Sequence, residues 1–209
     1  MSLAEVQAAA GAARLSILGG FHPDPDEGLG GTLFLLGPGP DFWHHFAQSP
    51  EMRDGHPDPL DRWSRRVVTR IAEVVGARPL FPFGEPPFHP FFSWATRTGR
   101  IWQSPVNFLV HAEQGLWVSF RGALAFERML DLPPTMERPC DSCPDQPCRT
   151  ACPVSALTPE GYDVAACKDY LRDGAECMDT GCAVRAACPV SQSFARDPRQ
   201  SAFHMKAFL

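Results

Sequence analysis

No cysteine occurs before residue 140 of this 209-residue chain, so any cysteine chemistry is confined to the last third. The opening MSLAEVQAAAGAARL lacks a basic n-region and a long apolar h-region. Nothing in it directs the chain to an oxidising compartment, which disfavours a disulfide framework. Lys and Arg form no stripe, and the formal net charge is −5 with a pI near 5.8; a nucleic-acid partner held mainly through phosphates is disfavoured. The longest uncharged stretch of the N-terminal half, Gly28 to Pro40, is too short and too rich in Gly and Pro to span a bilayer. A GxGxxG fingerprint is missing as well, and GLGG at Gly28 to Gly31 reads as a turn. The expectation is a cytoplasmic, soluble protein with neither nucleic acid nor membrane as a partner.

What is present is concentrated. All eight cysteines lie in two runs, Cys140-x2-Cys143-x4-Cys148-x3-Cys152-Pro153 and Cys167 followed by Cys177-x4-Cys182-x5-Cys188-Pro189. Short-spaced cysteines on one loop bring several thiolates together at little chain-entropy cost, and a Cys-Pro unit turns the chain away after the last. Eight thiolates fill two [4Fe-4S] clusters with none left over. In two-cluster ferredoxins the fourth cysteine of each run serves the other cluster. The crossed assignment is therefore Cys140, Cys143, Cys148 and Cys188 for the first, and Cys152, Cys167, Cys177 and Cys182 for the second. Zinc, a single cluster with structural thiols, and disulfides are the competing readings; zinc sites usually pair two separated CxxC units, and only one CxxC is present.

Composition changes near residue 133, where Pro133, Pro134 and Pro139 lead into the cysteine-dense segment. The expected organisation is α+β, with an α/β unit over 1–134 and a small ferredoxin-like unit over 135–209. Elements expected in the first unit are a helix from Leu3 to Ala12, strands at Arg14 to Leu18 and Thr32 to Leu36, and a short helix around Phe42 to Ala47. A longer helix starts at Asp58-Pro59 and ends at Gly76, with Leu60, Trp63, Val67, Ile71 and Val74 as its apolar stripe. Its opposite side carries Arg62, Arg65, Arg66 and Arg70, either a solvated face or a receiver of phosphate or acidic groups. Phe83, Phe91 and Trp94 stand in a proline-rich aromatic stretch, as candidates for a wall over a planar cofactor or as core rings. Asn107 to His111 and Leu116 to Arg121 are expected to pair as a hairpin. HPDP occurs at His22 and at His56, and turn chemistry accounts for both copies. Asp163 is expected to cap a helix reaching about Leu171 that carries Cys167.

The residues Asn107-Phe-Leu-Val-His111, Gly115-Leu-Trp-Val-Ser-Phe120, Cys140-x2-Cys143, Cys152-Pro153 and Asp163-Val-Ala-Ala-Cys167-Lys-Asp-Tyr-Leu171 resemble the latter part of the epoxyqueuosine reductase family and its reductive-dehalogenase relatives. The whole chain also looks like short bacterial proteins described as ferredoxins or iron-sulfur proteins. The resemblance implies a two-cluster C-terminal unit attached to a unit akin to the corrinoid-handling, nitroreductase-related domain. Both runs depart from the family's CxxCxxC pattern by longer spacers, and Arg185 stands near a family cysteine position with Cys177 in its role. The family's catalytic acid and cobalamin-contacting motifs do not map onto the N-terminal half.

Two functions follow. One is an electron-transfer module passing single electrons between redox protein partners. The alternative is a reductase in which the clusters reduce a cobalamin or flavin held near Phe83, Phe91 and Trp94; no catalytic residue is assignable from the sequence. Oligomeric state leaves no mark on it. Arg149, Lys168 and Arg185, adjacent in sequence to ligand cysteines, are candidate counter-charges.

Overall fold

TLFLLGP and GALAF have apolar side chains on both faces, so each must lie between neighbours. Both are buried throughout and form the centre of a sheet. The computed structural model describes residues 1–158, 160–194 and 196–209. In chain order the first elements are α1 (Leu3–Ala12), β1 (Leu15–Phe21), β2 (Thr32–Pro38), α2 (Phe42–Phe46), α3 (Pro50–Arg53), α4 (Pro59–Val75), β3 (Arg78–Leu80) and α5 (Phe91–Thr96). They are followed by β4 (Ile101–Gln103), β5 (Leu109–His111), β6 (Gly122–Phe126), β7 (Leu157–Thr158), β8 (Gly161–Tyr162) and α6 (Val164–Arg172). The chain ends in α7 (Cys177–Thr180), α8 (Ala183–Ala187), α9 (Pro189–Phe194) and α10 (Pro198–Phe208). The protein is thus mixed α and β, with small antiparallel sheets.

Two compact units divide it, Met1–Arg100 with Ser119–Thr135, and Ile101–Val118 with Met136–Leu209. The expected boundary near Pro134 matches only the last crossing of the chain. The 101–118 segment belongs with the cysteines.

In the first unit the strand order is β1-β2-β6-β3, every pair antiparallel. Leu33 to Leu36 and Phe126 form its core, with Phe34 edge-on to Phe126 at 5.8 Å. Gly30 and Gly31 lie so close to the chain after β6 that a Cβ on Gly30 would stand 2.5 Å from the Phe126 carbonyl oxygen; GLGG is a turn whose Gly31 N–H donates to that oxygen. Pro59 and Gly76 bound α4 as expected, the latter in the left-handed conformation, while Asp58 occupies the N-cap position without a side-chain cap. The buried side of α4 is Leu60, Trp63, Ser64, Val68, Ile71, Ala72 and Val75. Val74 is exposed, so the stripe lies one residue on from the expected one in its C-terminal half. Ser64 fits because its hydroxyl donates to the Leu60 carbonyl at 2.7 Å. Trp63 meets Phe42 and Phe46 edge-on at 5.2 and 6.0 Å.

The second unit carries β4 paired with β5 and β7 paired with β8. The expected hairpin partner of Asn107 to His111 is not Leu116 to Arg121 but Ile101 to Gln103. His111 and Gly115 instead close a tight turn by mutual backbone hydrogen bonds of 3.0 and 2.9 Å.

Candidate metal centres

Each cysteine is placed by a short local element. Cys140 and Cys143 sit on the 3₁₀ turn Pro139–Ser142, with the Cys143 amide donating to the Cys140 carbonyl at 3.3 Å, and Cys148 sits on the next, Pro147–Arg149. Proline at the first position of both turns fixes φ where no amide donor is needed. Cys167 lies one turn into α6, whose N-cap Asp163 accepts the Ala166 amide at 2.9 Å. Cys177 opens α7, and Cys182 and Cys188 cap the two ends of the five-residue α8.

These elements bring four of the thiols to one cavity. Cys140, Cys143, Cys148 and Cys188 line one cavity of about 340 Å³, with Val110, Leu116, Pro144 and Val190 around them. Burial pushes the Cys140 and Cys148 thiols up, and the charge of Cys188 and Cys143 adds to the shift in both. Cys152, although between Cys148 and Cys167 in sequence, is not part of this cavity lining. Cys152, Cys182 and Cys140 pack against the buried cluster that contains Cys148 and Cys188, and Cys167 packs on the patch of Leu171, Ala175 and Cys177. Burial raises the Cys167 and Cys182 thiols; the amides of Arg185 and Val184 and the Arg185 guanidinium pull Cys182 back. The Ala156 amide donates to the Cys152 sulfur at 3.2 Å.

Burial first, then neighbouring cysteines, raises Cys140, Cys148, Cys167 and Cys182, and a cation bound among them would draw their protons off. Among the described residues no three His, Cys, Asp or Glu side chains converge as ligands of one metal ion do. A cubane takes one thiolate at each of four irons, so its cysteines surround a volume rather than meet at a point, and a cavity lined by four of them fits that donor set. All eight are free thiols.

No protein family, curated protein or solved structure matches this chain. What the second unit can do must be read from its own residues.

Several neighbours of the thiols are invisible as a sequence pattern. Tyr162 packs edge-on to Phe108 at 5.8 Å and stacks on Phe208 at 6.1 Å. Burial first, then contact of its hydroxyl with Cys167, pushes its pKa up. Met205 and Phe208 of α10 pack on the patch of Leu171, Ala175 and Cys177 that also holds Cys167. Gly181, at φ 94, lets α10 approach, since a Cβ there would stand 2.5 Å from that of Ser201. The signal for α10 was Asp197-Pro198, a helix-start pair; Asp197 does accept the Arg199 amide.

In the first unit the aromatic candidates are occupied by packing. Phe91 and Trp94 are only 6% and 2% exposed. They contact each other at 5.0 Å, and Phe91 meets Phe120 at 5.7 Å. Phe83 lies on Phe81 and under the Arg65 guanidinium. Phe91 and Trp94 thus pack as core rings, while Phe83 is half-buried. Three of the four arginines on the α4 face are paired: Arg62 grips Asp54 with two nitrogens at 2.7 and 2.8 Å, Arg66 holds Glu51, and Arg70 pairs with Glu73, while Arg65 lies over the Phe81 and Phe83 rings. His22 makes a long-range contact with the Leu130 carbonyl, and the His56 amide donates to Asp54; the Asp-Pro of each HPDP copy starts a local element, Pro25–Glu27 and α4. No helix among the described residues is long and apolar enough to cross a membrane.

Proposed function

We propose that the second unit is a ferredoxin-like domain holding two [4Fe-4S] clusters, and that the protein relays single electrons between redox proteins. The observation that supports this reading is the company Cys188 keeps: it shares a cavity with Cys140, Cys143 and Cys148, whereas Cys152, the next cysteine after Cys148, does not line it. That interleaving is the crossed ligand pattern of two-cluster ferredoxins. The likeness of the cysteine segments to those of the epoxyqueuosine reductase family supports the same reading.

When bound, each cluster supplies one-electron chemistry with little change of geometry. The chain's own residues hold and insulate. The four cysteines of each group provide thiolates, and burial of Cys148, Cys177 and Cys188 keeps water from the sulfurs. The Ala156 amide disperses negative charge on Cys152. Prolines 139, 147 and 189 fix the backbone beside Cys140, Cys148 and Cys188, which keeps the pocket shaped before and after an electron passes. The chemistry so supplied would be passage of one electron from a reduced protein donor to an oxidised protein acceptor.

Anaerobically purified protein, reduced and examined by EPR, should show two [4Fe-4S] sites, with no corrin or flavin bands in its absorbance. Spectra of zinc protein, or a bound corrinoid lost in Trp94→Ala while iron is kept, would replace this reading with one of its rivals.

A further inference from the structure

The cavity of Cys140, Cys143, Cys148 and Cys188 has buried walls and an exposed border. Val110, Leu116, Cys148 and Cys188 are buried, whereas Cys140 and Cys143 are partly exposed and Ser142, Pro144, Asp145 and Pro189 are exposed. Five prolines line it as well, Pro105, Pro139, Pro144, Pro147 and Pro189. Each has its φ fixed, so this apolar collar meets a partner at little ordering cost. Its charge has one sign in excess. Asp145 lines the cavity, and among the described residues neither it nor exposed Glu137 forms an ion pair; Asp141, largely exposed, has Arg138 at 3.5 Å. The two arginines of the segment are drawn aside, Arg138 donating to the Gln103 carbonyl at 2.8 Å and Arg149 to the Gln146 side chain at 2.6 Å.

We propose that this collar is the docking face for a redox protein with a basic rim, which seats over Cys143 and is steered there by Asp145. This rests on the reading of the cavity as an iron-sulfur site. An apolar centre bordered by charge is how protein interfaces are built, and brief redox encounters of small area depend on electrostatic steering. The chain's net charge of −5 acts in the same direction. Electron transfer falls steeply with distance, and the partly exposed Cys140 and Cys143 bring the site within reach of this surface.

The probes are ferric cytochrome c, a basic protein, and the anionic iron(III)–EDTA complex. Iron and sulfide are counted first in each full-length protein. Reduced with dithionite and freed of the excess, the protein then gives one electron to either ferric acceptor, which becomes ferrous, and stopped-flow absorbance follows the rate. Asp145→Lys is expected to slow reduction of cytochrome c about tenfold and not to slow that of iron(III)–EDTA. Glu85→Lys, the same change of charge at an exposed residue of the first unit, should stay within about twofold of wild type. Carbodiimide cross-linking of wild type to cytochrome c should join its lysines to Asp145, Asp141 or Glu137. That readout needs no variant and decides the matter where Asp145→Lys fails to hold iron. Equal slowing by both substitutions, no slowing in fully loaded Asp145→Lys, cross-links that avoid the 137–145 segment, or cross-links there that join two copies of this chain would overturn the proposal. A wild type without iron and sulfide would instead remove the iron-sulfur reading of the cavity.

Discussion

Ser191 Oγ accepts the Leu116 amide at 2.8 Å, a buried contact that fastens the 112–118 turn to the helix begun by Cys188-Pro189. Gly115, at φ 58, makes the approach possible, because a Cβ there would stand 2.4 Å from the Ser191 amide nitrogen. Ser191→Ala leaves a buried N–H unpaired and is expected to cost about 1–3 kcal/mol. Gly115→Ala combines left-handed strain with a backbone clash and should cost at least as much. Thermal melts with parallel iron counts check both; melting temperatures equal to wild type would remove this contact as a support of the Cys188 site.

The division of the thiols is open to single substitutions. Under the proposed assignment, which puts both in one four-iron site, Cys148→Ser and Cys188→Ser should each lose about half the iron and leave the same surviving spectrum. Cys167→Ser and Cys182→Ser should lose the other half and leave a second, different spectrum. Pairing of Cys188→Ser with Cys182→Ser instead would refute the crossed assignment.

How much of this was legible follows the strength of local signals. Helix α1, the two ends of α4, and the Asp163 cap of α6 were readable because caps, prolines and glycines act within one turn. The α4 stripe was misplaced at Val67 and Val74 because adjacent valines satisfy a 3.6-residue period almost equally, and only packing against β3 and β6 selects Val68 and Val75. Leu116 to Arg121 alternates as a strand does, yet the chain passes between units after Val118, and the strand that forms is Gly122–Phe126. No local pattern announces such a crossing. The shared cavity of Cys140, Cys143, Cys148 and Cys188 agrees with what their spacing suggested; the contacts of Tyr162, Phe108 and Ser191 were not legible, because each joins positions about 30 to 80 apart.

Phe208 and Met205 pack on the patch that holds Cys167 and Cys177, and Lys168 lies over the Phe208 ring at 5.2 Å. Phe208→Ala removes the ring stacked on Tyr162. As a half-buried side chain it should cost about 1–2 kcal/mol of stability. Its larger effect is expected in air: iron should leave one site faster than in wild type and the other at an unchanged rate, followed by absorbance decay. A uniform loss from both sites would mean that α10 does not cover one group selectively.

Acid sensitivity of the first unit has a definite sign. The Arg62 fork, then the His56 amide, hold Asp54 at about 2 against an ordinary 3.8. The folded state therefore takes up that proton less readily than the unfolded chain. The stabilisation is whole above the ordinary value and disappears as pH falls through about 2. Glu51, lowered by Arg66, acts in the same direction; Asp61, raised by burial, acts in the opposite one. Wild type should lose more melting temperature than Asp54→Asn as pH is lowered from about 4 to about 2. Parallel curves would show that the Arg62–Asp54 pair contributes nothing.

The most direct test is a count of iron and acid-labile sulfide in protein purified without oxygen. About eight of each per chain is the expected result, four for each group of cysteines. Zinc in place of iron, or a colourless protein with neither iron nor sulfide after anaerobic reconstitution, would contradict the account.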